Sequence, residues 1–422
     1  MKVMLTTLPD EGQTVDYTTA SFHRPKAVKY MPLGILAVAS GISPRHEVCI
    51  LDTASKGLSI RQTLKEIDNF QPDVLGISAV TRKAWAMSEI LHWAKVPLKV
   101  VGGPHTTHYA LETLKLGTDA VFIGDGDYSF GRWLNHGDWR RIIEEHISDI
   151  NQLPFPQYEA LNLDDYALPE EEASDTLFKK SGTRFTMFSS RGCPYRCVFC
   201  DVQEKKFRCL SAQRVVDEME HLLSLGASSI HIMDDSFNVN RNRVLEICAE
   251  IKRRGLQFSW SARGRAEVDA ETAQALSEAG CKRLHVGIES LDNDVLRWMN
   301  KKMEVKTIKD FCATCREFEI EVLGYFVIGA PVETREYRQR LPEMIKEFGI
   351  TYPYFNLLYP SPHTEYYESL LQDGTYKRDY WQDFGEHPTA NYELPLPRPQ
   401  ELQDELLGTL DDYIGIFYKG DN

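Results

Sequence analysis

Three cysteines fall within eight residues, in the loop Arg191-Gly192-Cys193-Pro194-Tyr195-Arg196-Cys197-Val198-Phe199-Cys200. The spacing C-x3-C-x2-C places three thiolates on one short turn, where each can ligate a different iron of a cubane cluster. No fourth cysteine accompanies them, so one iron stays open to a chelating small molecule. A closed zinc site wants a fourth Cys or His at regular spacing, and the nearest candidate, Cys209, stands nine residues beyond Cys200. Gly192 and Pro194 allow the loop to wrap round a cluster.

Downstream, polar residues gather at the ends of strand-like runs. Ile230-His231-Ile232-Met233 ends in Asp234 and Asp235, carboxylates suited to a charge-assisted pair with an ammonium. Phe258-Ser259-Trp260-Ser261-Ala262 ends in Arg263 and Arg265, either of which suits a carboxylate, although a surface arginine explains them equally well. His285-Val286-Gly287-Ile288 ends in Glu289 and Ser290, which suit paired sugar hydroxyls. Tyr325-Phe326-Val327-Ile328 runs into the turn Gly329-Ala330-Pro331.

Those strand ends must be held by a scaffold. Amphipathic, helix-length stretches at 215–225, 244–254, 270–279 and 308–318 alternate with the strands. This alternation predicts a partial (β/α)6 barrel with its chemistry at the strand C-termini. Ahead of it, short apolar runs at 3–5, 48–51, 74–77, 98–101 and 120–123 are separated by connections, several of helix length. They predict a doubly wound parallel sheet. Ligands of such sheets sit beyond the strand C-termini, where Ser78 to Thr81, Gly102-Gly103-Pro104-His105 and Gly124-Asp125-Gly126-Asp127 gather. Glycine after a strand is also ordinary turn chemistry.

The fold class is thus α/β: an N-terminal doubly wound sheet over 1–145, a linker over 146–180, the partial barrel over 181–350 and a small aromatic-rich C-terminal subdomain over 351–422. The linker carries Leu153-Pro154-Phe155-Pro156 and the acidic run Glu170-Glu171-Glu172. Met299-Asn300-Lys301-Lys302 reads as charged surface, and Cys312 and Cys315 as thiols on the buried face of a helix. The 422 residues hold 48 basic and 62 acidic side chains, a formal charge of −14, which argues against a general nucleic-acid or membrane-surface binder. The start of the chain lacks a secretion-signal pattern and no run of about 18 apolar residues occurs. A cytoplasmic location without a membrane span is the expectation.

The ordered motifs resemble the radical S-adenosylmethionine (SAM) superfamily, and within it the branch with an N-terminal cobalamin-binding domain. That resemblance implies a [4Fe-4S] cluster on Cys193, Cys197 and Cys200, with SAM chelating the open iron. It implies Phe199 beside adenine, Asp234 or Asp235 at the SAM amino group, Arg263 or Arg265 at its carboxylate, Glu289 and Ser290 at the ribose, and Gly329 and Pro331 against adenine. The N-terminal likeness rests on Met31-Pro32-Leu33-Gly34-Ile35-Leu36, Gly102-Gly103-Pro104-His105, and Asp119 with Gly124-Asp125-Gly126-Asp127. It implies cobalamin held by Ser78, Thr81, Gly102, Gly103, Pro104, His105, Gly124 and Gly126. The Asp-x-His-x-x-Gly motif that supplies a histidine to cobalt in other cobalamin proteins is missing, so no such ligation is expected.

The implied activity is reductive cleavage of SAM to a 5′-deoxyadenosyl radical that activates a substrate C–H bond for C-methylation, with cobalamin carrying the methyl group. A cyclisation or rearrangement, or an N-terminal domain serving only as a substrate lid without cobalamin, are the alternatives. A small-molecule or peptide substrate and an electron donor such as flavodoxin or ferredoxin complete the expectation.

Overall fold

In the N-terminal unit, runs of Val, Ile and Leu too short for helices pair as strands. The computed structural model describes residues 1–15, 29–137, 140–168, 182–202 and 204–418; most of the acidic stretch expected to link the domains, at 169–181, lies outside the described residues. Strands β1 (Lys2–Thr6), β2 (Glu47–Leu51), β3 (Val74–Ser78), β4 (Leu98–Gly102), β5 (Ala120–Gly124) and β6 (Ile142–Glu145) form one sheet in the order β2-β1-β3-β4-β5-β6. Every pairing is parallel. Five strands lie on the apolar runs; β6, Ile-Ile-Glu-Glu with Ile143 its one buried side chain, carries too little apolar pattern to be seen. Helices Leu33–Ser40, Ile60–Phe70, Ala84–Trp93, Pro104–Lys115 and Gly126–His136 connect the strands. Val3, Leu5, Ile35, Val74, Val100, Phe122, Phe130 and Trp133 share one core.

The second unit begins with β7 (Ala167–Leu168) and β8 (Gly182–Met187) and continues with a two-residue antiparallel ladder, β9 (Ser190–Arg191) on β10 (Arg208–Cys209). It is completed by β11 (Ala227–Ile232), β12 (Ser259–Gly264), β13 (Cys281–Glu289), β14 (Glu321–Ile328) and β15 (Tyr352–Leu357). The main sheet runs β15-β14-β13-β12-β11-β8-β7. Six strands are parallel, and β7 closes the edge antiparallel to β8. Helices Ala212–Ser224, Arg241–Arg253, Ala270–Glu278, Val305–Glu317 and Arg335–Phe348 follow successive strands, giving the curled partial barrel.

Strand periodicity sorts the barrel's two faces. On β14, Val322, Gly324 and Phe326 are buried, whereas Glu321, Leu323 and Tyr325 are half-buried on the opposite face. On β15, Phe355 packs against Tyr413 and Phe417 of the helix Gln400–Phe417, leaving Tyr352, Tyr354 and Asn356 on the other face. Ser211, Asn240, Asp269 and Thr334 each accept a backbone N–H at a helix N-terminus, which fixes where four strand-to-helix loops end.

The aromatic stretch after residue 350 is shared between the units. Tyr352–Leu357 is the sixth barrel strand, and Lys377–Pro395 groups with the N-terminal unit. Trp381 and Phe384 are buried there, and Asn391 donates its backbone N–H to the Gly12 carbonyl at 3.0 Å. Among the described residues, no helix is long and apolar enough to cross a membrane.

Candidate active site

The cysteine loop starts where β9 pairs with β10. Gly192 turns it with φ +80°, and a Cβ there would stand 2.6 Å from the Lys206 carbonyl oxygen, so only glycine fits. The Cys193 N–H donates to the Glu204 carbonyl at 2.9 Å and the Cys200 N–H to the Cys197 carbonyl at 3.1 Å. All three thiols are free and half-buried. Burial raises the Cys197 thiol and pushes that of Cys200 up to about 11, so both wait for a bound cation to draw off their protons. Among the described residues, no three His, Cys, Asp or Glu side chains converge on one metal-ion position. Three free thiols on one glycine-turned loop are the donor set that a three-cysteine cluster takes.

The segment expected as charged surface, Met299-Asn300-Lys301-Lys302, is instead packed against this loop. Met299 is fully buried and Lys301 is 6% exposed. The Met299 carbonyl accepts the Val198 N–H at 3.1 Å, and the Asn300 side-chain amide donates to the Arg196 carbonyl at 2.6 Å. Lys301 Nζ reaches Glu289 Oε1 at 2.7 Å. Lys-rich composition argues for solvent, but a buried carboxylate opposite reverses that preference.

The acidic pair after β11 is split by direction. Asp234 is fully buried: Oδ1 accepts the N–H groups of Ser189 and Ser190 at 2.6 and 3.0 Å, and Oδ2 accepts their hydroxyls, both at 2.6 Å. Burial pushes its carboxyl up, opposed by the Arg243 guanidinium and those donors. Asp235 is exposed at the barrel's open end, accepts the Gly192 backbone N–H and faces the Arg263 charge. Partial desolvation, with Asp234 adjacent, raises its carboxyl.

The two arginines part in the same way. The buried Arg265 lies 3.9 Å from the centre of the Tyr195 ring and donates to the Lys301 carbonyl at 2.6 Å, bracing the cysteine loop. Arg263 is half-buried on the strand end beside Asp235. Glu289 adopts φ +67° where the β13–β14 register shifts, a conformation that costs a non-glycine residue about 1–3 kcal/mol. Ser290 is fully buried, its hydroxyl donating to the Tyr337 hydroxyl at 2.9 Å. Phe199 is half-buried, Pro331 is exposed, and Gly329 sits at φ +91°, a conformation that strains any residue with a side chain. Glu333 accepts the Gly329 N–H at 3.0 Å and Arg338 Nη1 at 3.2 Å; burial raises its carboxyl to about 6.

Sequence reasoning missed the polar side chains within the barrel. His231 Nδ1 lies 2.7 Å from the Ser261 hydroxyl, and the His231 and His285 rings are 4.5 Å apart. Burial and the Arg184, Arg263 and Arg283 charges hold both imidazoles neutral. The available signal was strand parity, since His231, Ser261 and His285 alternate with the buried apolar residues of their strands.

In the N-terminal unit the small residues flank one another at the ends of β3, β4 and β5. Gly103 has φ +97°, and a Cβ there would stand 2.7 Å from the Ala79 carbonyl oxygen. His105 Nδ1 pairs with Thr81 Oγ1 at 3.2 Å and its ring stacks on Tyr109, with centroids 5.1 Å apart. Its Nε2 is buried with no partner among the described residues, and burial lowers its pKa to about 4, so the ring stays neutral. Ser78, Thr81, Gly102 and Gly126 are half-buried, while Pro104 and Gly124 (φ +79°) are exposed. The bare loop backbone fits a large ligand approaching the strand ends, and His105 is fully buried.

Two family models match the chain, the Radical SAM superfamily over residues 187–345 and the B12 binding domain over residues 27–133. The chain thus joins a B12-binding domain to a radical SAM domain. It is 29% identical to an uncharacterized methyltransferase of Pyrococcus horikoshii, over 91% of this chain and 86% of that protein. It is 26% identical to the bacteriochlorophyllide d C-12(1)-methyltransferase of Chlorobaculum tepidum, over 92% of this chain and 83% of that one. Its fold is similar to that of the radical SAM methyltransferase TsrM of Kitasatospora setae, solved with cobalamin and a [4Fe-4S] cluster bound: TM-score 0.66 and 17% identity, covering 88% of this chain and 75% of that chain.

Proposed function

We propose that the protein methylates an unactivated carbon of a small-molecule or peptide substrate. One observation carries the reading: a single chain joins a three-cysteine loop, rimmed by Asp235 and Arg263, to a B12-type sheet with bare glycine loops at its strand ends. When bound, the cluster with SAM supplies a 5′-deoxyadenosyl radical and cobalamin supplies the methyl group. Cys193, Cys197 and Cys200 would hold the cluster; Gly102, Gly103 and Gly124 would let cobalamin close on the backbone of the strand ends.

In this reading Asp235 pairs with the SAM ammonium and Arg263 with its carboxylate, each a charge-assisted contact that orients SAM. Glu289 faces the ribose and the Gly329–Pro331 turn packs on adenine, while Asp234, Ser290 and Arg265 hold the loops in place. The face carrying His231, His285, Tyr325 and Tyr354 receives the substrate and keeps water from the radical. The two sequence relatives described above are named as methyltransferases, one of them of a bacteriochlorophyllide, and are more similar to this chain than the magnesium-protoporphyrin IX monomethyl ester cyclases at 23% and 22% identity, which favours methylation over cyclisation. All nine cysteines are free thiols, which suits a cytoplasmic enzyme fed electrons by a flavodoxin or ferredoxin.

The test is a product count. Reduced enzyme with SAM and a methyl acceptor should form 5′-deoxyadenosine and S-adenosylhomocysteine in equal amounts. Deoxyadenosine without stoichiometric S-adenosylhomocysteine would replace methylation by cyclisation or rearrangement. Protein that takes up no cobalamin on reconstitution would make the N-terminal domain a lid.

A further inference from the structure

We propose that Lys301 is a positioning residue for the cluster loop, and that its buried ammonium makes a cluster bound there easier to reduce. The proposal rests on the three-cysteine cluster reading and adds a residue outside the motif.

The geometry surrounds one ligand. Tyr195 lies under the Arg265 guanidinium, the Arg196 carbonyl takes the Asn300 amide, and the Val198 N–H is held by the Met299 carbonyl. Cys197 is the residue between these three grips. Arg265 also donates to the Lys301 carbonyl, so a single short segment ties the loop to the end of β12. Asn300 and Lys302 both adopt φ +53°, a left-handed conformation that non-glycine residues keep only where their surroundings hold it.

Charge then separates a brace from a tuning group. Lys301 and Glu289 side chains are 7% and 9% exposed and 2.7 Å apart. A buried ion pair seldom stabilises a fold more than apolar residues of the same volume would, so a segment needed only for its shape has no use for one. Lys301 stands on the segment bonded to the loop on either side of Cys197, through Arg196 and Val198, so the two charges of the pair act on that position with opposite sign. Three thiolates outweigh the positive charge of a four-iron core, so the bound cluster is an anion, and one electron from a flavodoxin- or ferredoxin-type donor makes it more negative with no bond made or broken. In a site of low dielectric, a fixed ammonium favours that added electron.

The experiment uses the full chain, reconstituted anaerobically with iron and sulfide, as wild type, Lys301→Gln, Lys301→Arg and Glu289→Gln. The readouts are iron content and the fraction of reduced cluster, followed by EPR through a mediated dithionite titration. At equal iron content Lys301→Gln should lower the reduction equilibrium constant at least tenfold, equivalent to about 59 mV for one electron. Glu289→Gln should shift it the opposite way, and Lys301→Arg should match wild type. Asn300→Ala removes one grip without changing charge, and should lose iron to a chelator faster at an unaltered potential. Lys301→Gln and Glu289→Gln titrating within twofold of wild type, or moving in the same direction, would overturn the proposal. Wild-type protein that binds no iron would overturn the cluster reading instead.

Discussion

Asp234 and Asp235 are adjacent and chemically identical, yet replacing each with alanine should give opposite phenotypes. Asp234→Ala deletes four hydrogen-bond acceptances, from two backbone N–H groups and two hydroxyls. The hydroxyls can rotate to other acceptors; the buried Ser189 and Ser190 N–H groups cannot, at about 1–3 kcal/mol each. Arg243, buried and donating to the Ser189 carbonyl at 2.6 Å and the Leu210 carbonyl at 2.9 Å, would also lose the nearby Asp234 charge, a further penalty for a buried cation. These losses belong to one network and do not add in full, so at least about 4 kcal/mol is expected. For a unit of this size that is a fall in melting temperature of about 8–16 °C. Asp235 has no such network, and Asp235→Ala should cost about 1 kcal/mol or less while removing the carboxylate offered to SAM. Thermal unfolding of the metal-free variants by circular dichroism, with SAM affinity measured calorimetrically on the reconstituted ones, checks both halves. An Asp234→Ala protein melting within about 4 °C of wild type would refute the structural assignment, as would wild-type SAM affinity in Asp235→Ala for the ligand assignment.

Two further outcomes concern Glu333 and Gly103. Glu333 titrates at about 6 in the fold against an ordinary 4.5, so its neutral form favours folding: that contribution is complete below about pH 4.5, declines as pH rises, and is gone above about pH 6. Relative to Glu333→Gln, wild type should gain about 2 kcal/mol between pH 7 and pH 4.5 in urea unfolding; parallel curves for the two proteins would exclude this. Gly103→Ala forces a side chain at φ +97° into the Ala79 carbonyl, and cobalamin taken up per mole of protein should fall, whereas Gly34→Ala, with nothing within 4 Å, should load as wild type does. Equal loading of both variants would detach the β4 loop from cobalamin.

Much of this protein was legible residue by residue because its signals are local. C-x3-C-x2-C lies within one turn, and the apolar runs that became β1 to β5 carry their own period. The polar residues at strand ends are placed by the alternation of strand and helix, which needs no knowledge of partners. Other features depended on contacts between distant parts of the chain. Lys301 was read as surface because nothing near it in sequence hints that the strained turn at Glu289 brings a carboxylate to its ammonium, or that Asn300 would meet Arg196 across 104 positions. The split of Asp234 from Asp235 is equally invisible in a pair of identical letters: it arises because the Ser189–Ser190 turn and Arg243 close over one carboxylate and leave the other at the rim. The grouping of Lys377–Pro395 with the N-terminal unit, through Asn391 and Gly12, has the same origin. Period and spacing specify which elements form. Burial of a charge is decided only when the fold brings up, or withholds, the group that compensates it.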